Sequence, residues 1–456
     1  MHRRAHALAL AATLAFASAQ AAAAPAAEVV SVEGKGEYRE AQQATWRSAA
    51  VKQPLFPSNF VRTLDQSKMA IVFVDRTQVR LAPNSTMQIK EVASGTDTRT
   101  ILNLNQGRSW TQSKTTPRGL TMETPSALAA IRGTDWEMAV DEEGRATLTV
   151  FSGEVEFYND QGNVVVRPNE QARAEKGRAP VKLLLQTSRD RMQWVSSFTI
   201  DPQRYVEFRA TPGPDLRDIA RLVREQSFGD AYARLKALAL TADAPAGVHL
   251  LLADFEIYRG DLDRAAQALA GSAGRYPSDE RFEVGLARLA LLHGDASAAL
   301  AHARAALAKR PDSADAWVML GDIERYEGRG PQAIEAYARA VGVAANDARA
   351  WFGRGVVEEE RENVRRARSD LTRAIALDET DAVYRAELGM LEGFAGDSDL
   401  GREHLEKALA LQPDNYVALT GLGVLELRSG NVDAAVDALV RASVVEPRYA
   451  RAHLYL

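Results

Sequence analysis

A period of 34 residues runs through the C-terminal half of the chain: Gly321, Gly355, Gly389 and Gly423 stand at one phase, and Ala340, Ala374, Ala408 and Ala442 at another. Pro311, Pro413 and Pro447 mark a third phase, with Ala345 and Glu379 standing where proline is missing. Chemistry at a single site needs no such ruler. Stacking does, because a pair of amphipathic helices cannot bury its apolar face alone and must lay it against a neighbouring pair. The period therefore predicts an all-α solenoid, a scaffold for binding before it predicts an enzyme.

The residues within each period resemble the tetratricopeptide repeat (TPR), which places a large residue and then Leu-Gly on a first helix and two small residues on a second. Trp317, Leu320, Gly321, Ala333 and Ala340 form one such unit, and Trp351, Gly355, Ala367 and Ala374 the next. Ala287, Gly294, Ala299 and Ala306 give an earlier unit, and Ala253, Gly260 and Ala265 another. Residues 215–240 are helical in pattern with Ala231 in phase, and read as an atypical first unit or an N-terminal cap. Gly-Asp and Gly-Asn pairs beginning at Gly260, Gly294, Gly396 and Gly430 are expected to end one helix and cap the next. The result is a solenoid of about six units. Its last unit stops at Leu456 inside a first helix, which predicts a fragment or an end covered by a partner.

Glu324, Glu358, Glu392 and Glu426 stand where the repeat usually has an aromatic residue. They are either an arginine-paired ridge or a carboxylate ladder for cations or basic peptides. The resemblance places the inner groove on Asp322, Arg325 and Tyr326, then Phe352, Glu359 and Glu360, then Met390 and Phe394. Of these, Asp322, Arg325, Tyr326, Phe352, Met390 and Phe394 are the candidate partner-binding residues, since aromatic anchors among charges suit an extended peptide or an amphipathic helix.

The other end of the chain speaks of compartment. His2, Arg3 and Arg4 precede an apolar run from Ala7 to Ala19, followed by an alanine-rich stretch to Ala27. This is the pattern of a cleavable secretory signal peptide, with cleavage expected near Ala19 or Ala24. The run is shorter than the ~20 residues that a membrane span needs. With no cysteine there is neither a lipid-anchor site nor a disulfide framework. The expected mature protein is exported, periplasmic and without a transmembrane span. A net charge of -5 gives no footprint for nucleic acid.

Between leader and solenoid the chain reads as strands. Met69–Val74, Thr77–Leu81, Met87–Val92, Thr100–Leu104, Leu120–Met122, Trp136–Val140, Thr147–Phe151, Val155–Tyr158 and Val164–Val166 are short β-rich runs separated by turn residues, the mark of an all-β sandwich or coiled sheet. Within them, residues 78–85 (Gln-Val-Arg-Leu-Ala-Pro-Asn-Ser), Leu104 to Gly107, Ile131-Arg132-Gly133-Thr134-Asp135-Trp136 and Val150 to Val155 resemble the FecR domain. The resemblance implies a periplasmic β module that, in its best-known members, relays a ligand signal from an outer-membrane receptor to a sigma factor. Such regulators carry a cytoplasmic segment and a membrane helix, where this chain has a leader. The motif residues are Arg132, Gly133, Thr134 and Trp136. Gly107, Gly133 and Gly153 are expected to supply backbone shapes closed to other residues or close strand approach. Trp136 is expected in the core, and Arg132 and Asp135 either form an ion pair or meet a ligand.

No catalytic, cofactor-binding or metal-binding residue emerges. Histidine is missing from residue 7 to residue 248, and the five later histidines sit on separate repeats. Asp141, Glu142 and Glu143 lie in a turn beside Gly144, where solvation explains them better than acid-base chemistry. The organisation predicted is a leader over 1–27, a FecR-like all-β domain over 28–180, a linker over 181–214 carrying Pro202, Pro212, Gly213 and Pro214, and a TPR-like solenoid over 215–456. The function predicted is a non-enzymatic envelope adaptor. Its groove would hold protein partners, and its β domain an outer-membrane protein or envelope glycan.

Overall fold

The computed structural model describes residues 24–92, 99–113, 119–183, 200–209 and 212–456. The predicted leader lies outside the described residues except for its last four, of which Ala26 and Ala27 are already packed in the fold.

Alternating apolar residues build one continuous, folded sheet. Its strands are β1 (Ala27–Glu33), β2 (Gly36–Arg39), β3 (Arg47–Ser48), β4 (Pro54–Leu55), β5 (Phe60–Thr63), β6 (Lys68–Phe73), β7 (Gln78–Leu81) and β8 (Thr86–Glu91). Then come β9 (Thr100–Gln112), β10 (Leu120–Glu123), β11 (Leu128–Val140), β12 (Ala146–Asn159), β13 (Gly162–Val166), β14 (Gln171–Ala174) and β15 (Val181–Leu183). Three long strands let the sheet turn back on itself, because each changes partners part-way. β9 pairs with β8 and β10 in its first half and with β7 and β11 in its second. β12 passes from β14 to β13, and the register of β11 breaks between Arg132 and Asp135.

Two of the breaks sit on glycines in the left-handed region, Gly107 at φ +93° and Gly153 at φ +74°. At Gly107 a Cβ would lie 2.4 Å from the Cα of Ser85, so only glycine lets β9 cross there. The folded sheet encloses Val29, Ile71, Val79, Leu102, Leu104, Trp136, Met138, Leu148, Val150 and Phe157, all fully buried.

Past the sheet, a 3-10 turn (Pro202–Arg204) and the short helix α1 (Val206–Arg209) lead into the solenoid. Its pairs are α2 (Pro214–Arg224) with α3 (Phe228–Ala239), α4 (Ala246–Arg259) with α5 (Leu262–Ala273), α6 (Arg281–Leu292) with α7 (Ala296–Lys309), and α8 (Ala314–Tyr326) with α9 (Gly330–Val343). They continue as α10 (Ala348–Glu360) with α11 (Val364–Leu377), α12 (Ala382–Ala395) with α13 (Ser398–Leu411), and α14 (Tyr416–Arg428) with α15 (Val432–Val445), before a lone α16 (Ala450–Tyr455). The described residues thus hold seven pairs, one more than the sequence frame suggested, because α2 and α3 form a full unit.

The period has a residue-level cause at each phase. Small residues sit where helices cross: a Cβ on Gly321 would lie 2.6 Å from the Tyr337 ring. A left-handed residue closes the first helix of every pair, at Gln226, Gly260, Gly294, Gly328, Glu362, Gly396 and Gly430. The Asp261, Asp295 and Asp397 carboxylates then cap the following helices. At the proline phase the carbonyl is what recurs. Trp317 Nε1 donates to the Pro311 carbonyl and Trp351 Nε1 to that of Ala345, each at 2.9 Å, while His453 meets that of Pro447 at 2.8 Å.

The glutamate of each repeat is paired. Glu392 takes a bidentate contact from Arg368 at 2.6 Å, Glu426 meets Arg402 at 2.7 Å, Glu358 accepts from Asn363 at 2.6 Å, and Glu324 contacts Arg329. These carboxylates tie a first helix to its neighbours.

First helices touch one another along the stack, whereas second helices make no comparable contacts among themselves. The stack therefore curves with its first helices on the inner side. The curve brings both ends to the sheet. At the start, the Gly34 amide donates to Gln226 at 2.8 Å, and Lys68 Nζ lies 4.1 Å from the Tyr258 ring centroid. Burial pushes the Lys68 ammonium down to about 8 against the pull of Glu33.

At the far end, Arg80 Nη1 donates to the Val444 carbonyl at 2.9 Å and to that of Val445. Gln78 Nε2 reaches Ser443 at 2.9 Å, and Glu28 takes a bidentate contact from Arg441 at 2.6 and 3.1 Å. Val30, Ala70, Ala82 and Trp110 pack with Val444 and Val445. The β domain thus bridges the first and last helix pairs.

Candidate functional site

The inner side of the solenoid divides into a filled stretch and an open one. Residues 200–209 fill the first. Tyr205 Oη donates to Asp254 Oδ2 at 2.6 Å, and the same carboxylate contacts Arg288. Glu207 takes two bonds from the Arg281 guanidinium at 2.9 and 2.7 Å and a third from the Gly247 amide at 3.1 Å. A Cβ on Gly247 would lie 2.6 Å from Glu207 Oε2 and 3.2 Å from Tyr205 Cβ, so the glycine leaves room for the segment.

Ile200, Tyr205 and Phe208 join the apolar core of α2, α4 and α6. Burial works against the Glu207 charge, but the Arg281 guanidinium overcomes it and holds the carboxyl below its ordinary value. Burial also opposes the charge on Arg281, yet bonds to Asp279 and Glu207 hold it above its ordinary value.

The open stretch runs over α8, α10, α12 and α16. Asp322 accepts from Tyr337 Oη at 2.6 Å; loss of hydration between the groove walls pushes its carboxyl above the ordinary value, against the pull of that hydrogen bond and of the Arg325, Arg204 and Arg349 charges. Arg325 reaches across to Glu360 at 2.8 Å, and Arg349 links Asp315 and Asp347 at 2.6 Å each. Phe352 stacks at a tilt on Tyr384, with ring centroids 4.7 Å apart. Arg451 lies 3.2 Å from Glu387 and 3.7 Å from Glu359, and so ties α16 to α12 and α10. Burial and the Glu387 charge push Glu359 up to about 7.

The six candidate residues therefore separate. Asp322, Arg325 and Phe352 share the groove with Glu359 and Glu360. Tyr326 is 59% exposed at the end of α8, close to the Gly294 corner. Met390 is buried against Gly421 in the core between helices, and Phe394 stands with it around a small apolar hollow closed by Leu405 and Leu425. The phase itself changes character here: it reads Asp254, Arg288 and Asp322, then Val356, Met390 and Val424.

Sequence reasoning missed the residues that do most of the inner-face bonding. Gly247, Arg281, Asp315, Arg349 and Arg451 occupy one phase of the 34-residue frame, interrupted only by Val383 and Val417. That run of charge was the signal available.

In the β domain, Thr134 and Trp136 are buried, while the surroundings of Arg132 and Gly133 lie outside what is described. Burial pushes the Asp135 carboxyl up to about 6, and its backbone amide donates to Ser152 at 3.1 Å. Among the described residues no three side chains of metal-ligand type gather into a site, and no helix is long and apolar enough to cross a membrane.

The profile of the FecR protein family matches residues 59–156, and that of the tetratricopeptide repeat matches 284–342, 318–382 and 387–456. The chain carries a FecR domain and a tetratricopeptide solenoid. Solved structures similar to the solenoid include MamA, at 24% identity over 36% of this chain and 97% of the other, with a TM-score of 0.30. Another is YrrB, described as a TPR protein with an unusual peptide-binding site, at 21% identity, 41% and 97% coverage and a TM-score of 0.31. A third is a tetratricopeptide repeat protein from Parabacteroides merdae, at 16% identity, 53% and 96% coverage and a TM-score of 0.41. No curated protein sequence matches the chain. Tetratricopeptide repeats are typically non-enzymatic scaffolds, and the FecR–TPR pairing indicates a protein-interaction or signalling role.

Proposed function

We propose that the chain is an exported, non-enzymatic adaptor of the bacterial cell envelope, whose solenoid holds a protein partner in the open stretch of its groove. The observation that carries this reading is the open row of Asp322, Arg325, Phe352 and Glu360, an aromatic anchor among charges on the inner side of α8 and α10. Such a row suits an extended segment better than a small substrate, because its groups are spread along the groove and do not converge on one point. The basic, apolar and small-residue order of residues 1–27 and the envelope association of FecR domains support export.

The test is crosslinked capture from an envelope fraction by the mature chain, compared with Phe352→Ala and Arg325→Ala. Loss of the same captured protein in both variants, with unchanged melting, supports the groove. Equal capture by all three sinks it.

The FecR match favours a second reading, a sensor in receptor-to-sigma signalling that acts through a separate membrane protein. In the adaptor reading the β domain engages an outer-membrane protein or a glycan, with Arg132, Gly133, Thr134 and Trp136 on its motif strand. Gene deletion followed by a transcript survey separates the two, since an adaptor leaves receptor-dependent transcripts unchanged.

A further inference from the structure

The filled stretch of the groove is held by side chains of a kind that a partner could also supply. The turn Pro202–Arg204 and the four-residue α1 are too short to hold their shape alone. Their order comes from the groove, through a phenol on Asp254, a carboxylate on Arg281 and the Gly247 amide, and buried Ile200 and Phe208. All three polar receptors belong to α4 and α6, and Gly247 is shaped to admit the segment. We infer that Gly247, Asp254, Arg281 and Arg288 form a recognition subsite for a partner segment carrying a tyrosine, a carboxylate two residues later and then an aromatic, and that residues 200–209 occupy it as a displaceable internal stand-in.

Covalent attachment gives the stand-in a high effective concentration. A partner must therefore offer the same chemistry with more contact, and its apparent affinity falls by the fraction of chains whose subsite is open. The open stretch over α8, α10 and α12 continues directly from this subsite and supplies the additional contact. The inference deepens the reading of the groove as a partner site, but its test needs no partner.

The probe is a fluorescent peptide with the sequence of residues 200–209, titrated against the full chain and against a full chain carrying Tyr205→Phe and Glu207→Gln. The doubly substituted chain keeps its groove and loses the polar hold of the stand-in. It should bind the peptide at least tenfold more tightly than the parent, and adding Arg281→Ala should abolish that binding. No saturable binding to a doubly substituted chain that melts like the parent would overturn the inference, as would a peptide bearing the same two substitutions binding equally well. Concentration-dependent dimerisation of the doubly substituted chain that Arg281→Ala reverses would assign the subsite to a second copy and overturn the partner segment.

Should that chain fail to fold, amide hydrogen exchange in the parent decides. Residues 200–209 must exchange faster than the cores of α4 and α6, whereas equal protection makes them a fixed part of the fold. Failure of the peptide leaves the Phe352 capture experiment to judge the open stretch on its own.

Discussion

Glu362 occupies a backbone position that its side chain disfavours. It stands at φ +60°, in the phase that Gly260, Gly294, Gly328, Gly396 and Gly430 fill elsewhere. A left-handed conformation costs a non-glycine residue about 1–2 kcal/mol, and part of any gain from glycine is returned through the looser unfolded chain. Glu362→Gly should therefore raise the unfolding free energy by up to about 1 kcal/mol, read from the denaturant midpoint; a lower midpoint refutes the account.

Glu359 makes a prediction in pH. Its folded pKa of about 7 lies above the ordinary 4.5, raised by burial and by Glu387, while Arg451 and Arg325 pull it down and Glu360 pushes the same way as Glu387. Between those two values the folded chain holds a proton that the unfolded chain has released, so this group's contribution to stability falls as pH rises through the window. Glu359→Gln should melt above the parent at pH 8, with the gap closing towards pH 5. A gap that does not change with pH excludes the carboxyl as its cause.

At the scale of elements, the reach of local sequence rules can be seen strand by strand. β6, β7 and β8 were legible because the first is a short β-rich run and the other two alternate, each between turn residues, and the observed bounds differ by a residue at most ends. β12 was not. Ser152-Gly153 reads as a turn, yet it is a bend inside one strand of 14 residues, and only its change of partner from β14 to β13 reveals that. β1 to β5 were missed altogether, since all five have seven residues or fewer of mixed character and most are held by pairing with distant strands.

The helices were easier, because small residues and left-handed corners must recur wherever identical pairs stack. The groove was half legible: a repeat frame says which phases face inward, but not that residues 200–209 cover the first of them. The helix α4 carries the corresponding prediction. Gly247→Ala puts a methyl group 2.6 Å from Glu207 Oε2, and overpacking of this kind costs about 1–3 kcal/mol. The expected outcome is faster proteolytic cutting near residues 200–209 with the melting of the distal repeats unchanged.

At the scale of the molecule, Arg80 decides how the two halves sit. Its fully buried guanidinium serves the Val444 and Val445 carbonyls and faces Glu33 at 3.3 Å. Arg80→Met removes charged bonds worth about 1.5–3 kcal/mol each in such settings and should release the last helix pair from the sheet. Small-angle scattering should then show a larger radius, with the β domain still folded; an unchanged radius means that apolar packing around Trp110 suffices.

The bridge also bears on how such a chain can change over generations. An open stack gains or loses a unit at little cost, because its ends are free. Here an extra 34 residues would carry Ser443, Val444 and Arg441 past Gln78, Arg80 and Glu28, and every bond across the junction would lose its mate at once. The number of repeats is thereby locked, and duplication, the usual currency of variation in repeat families, is closed to this molecule unless the sheet changes with it.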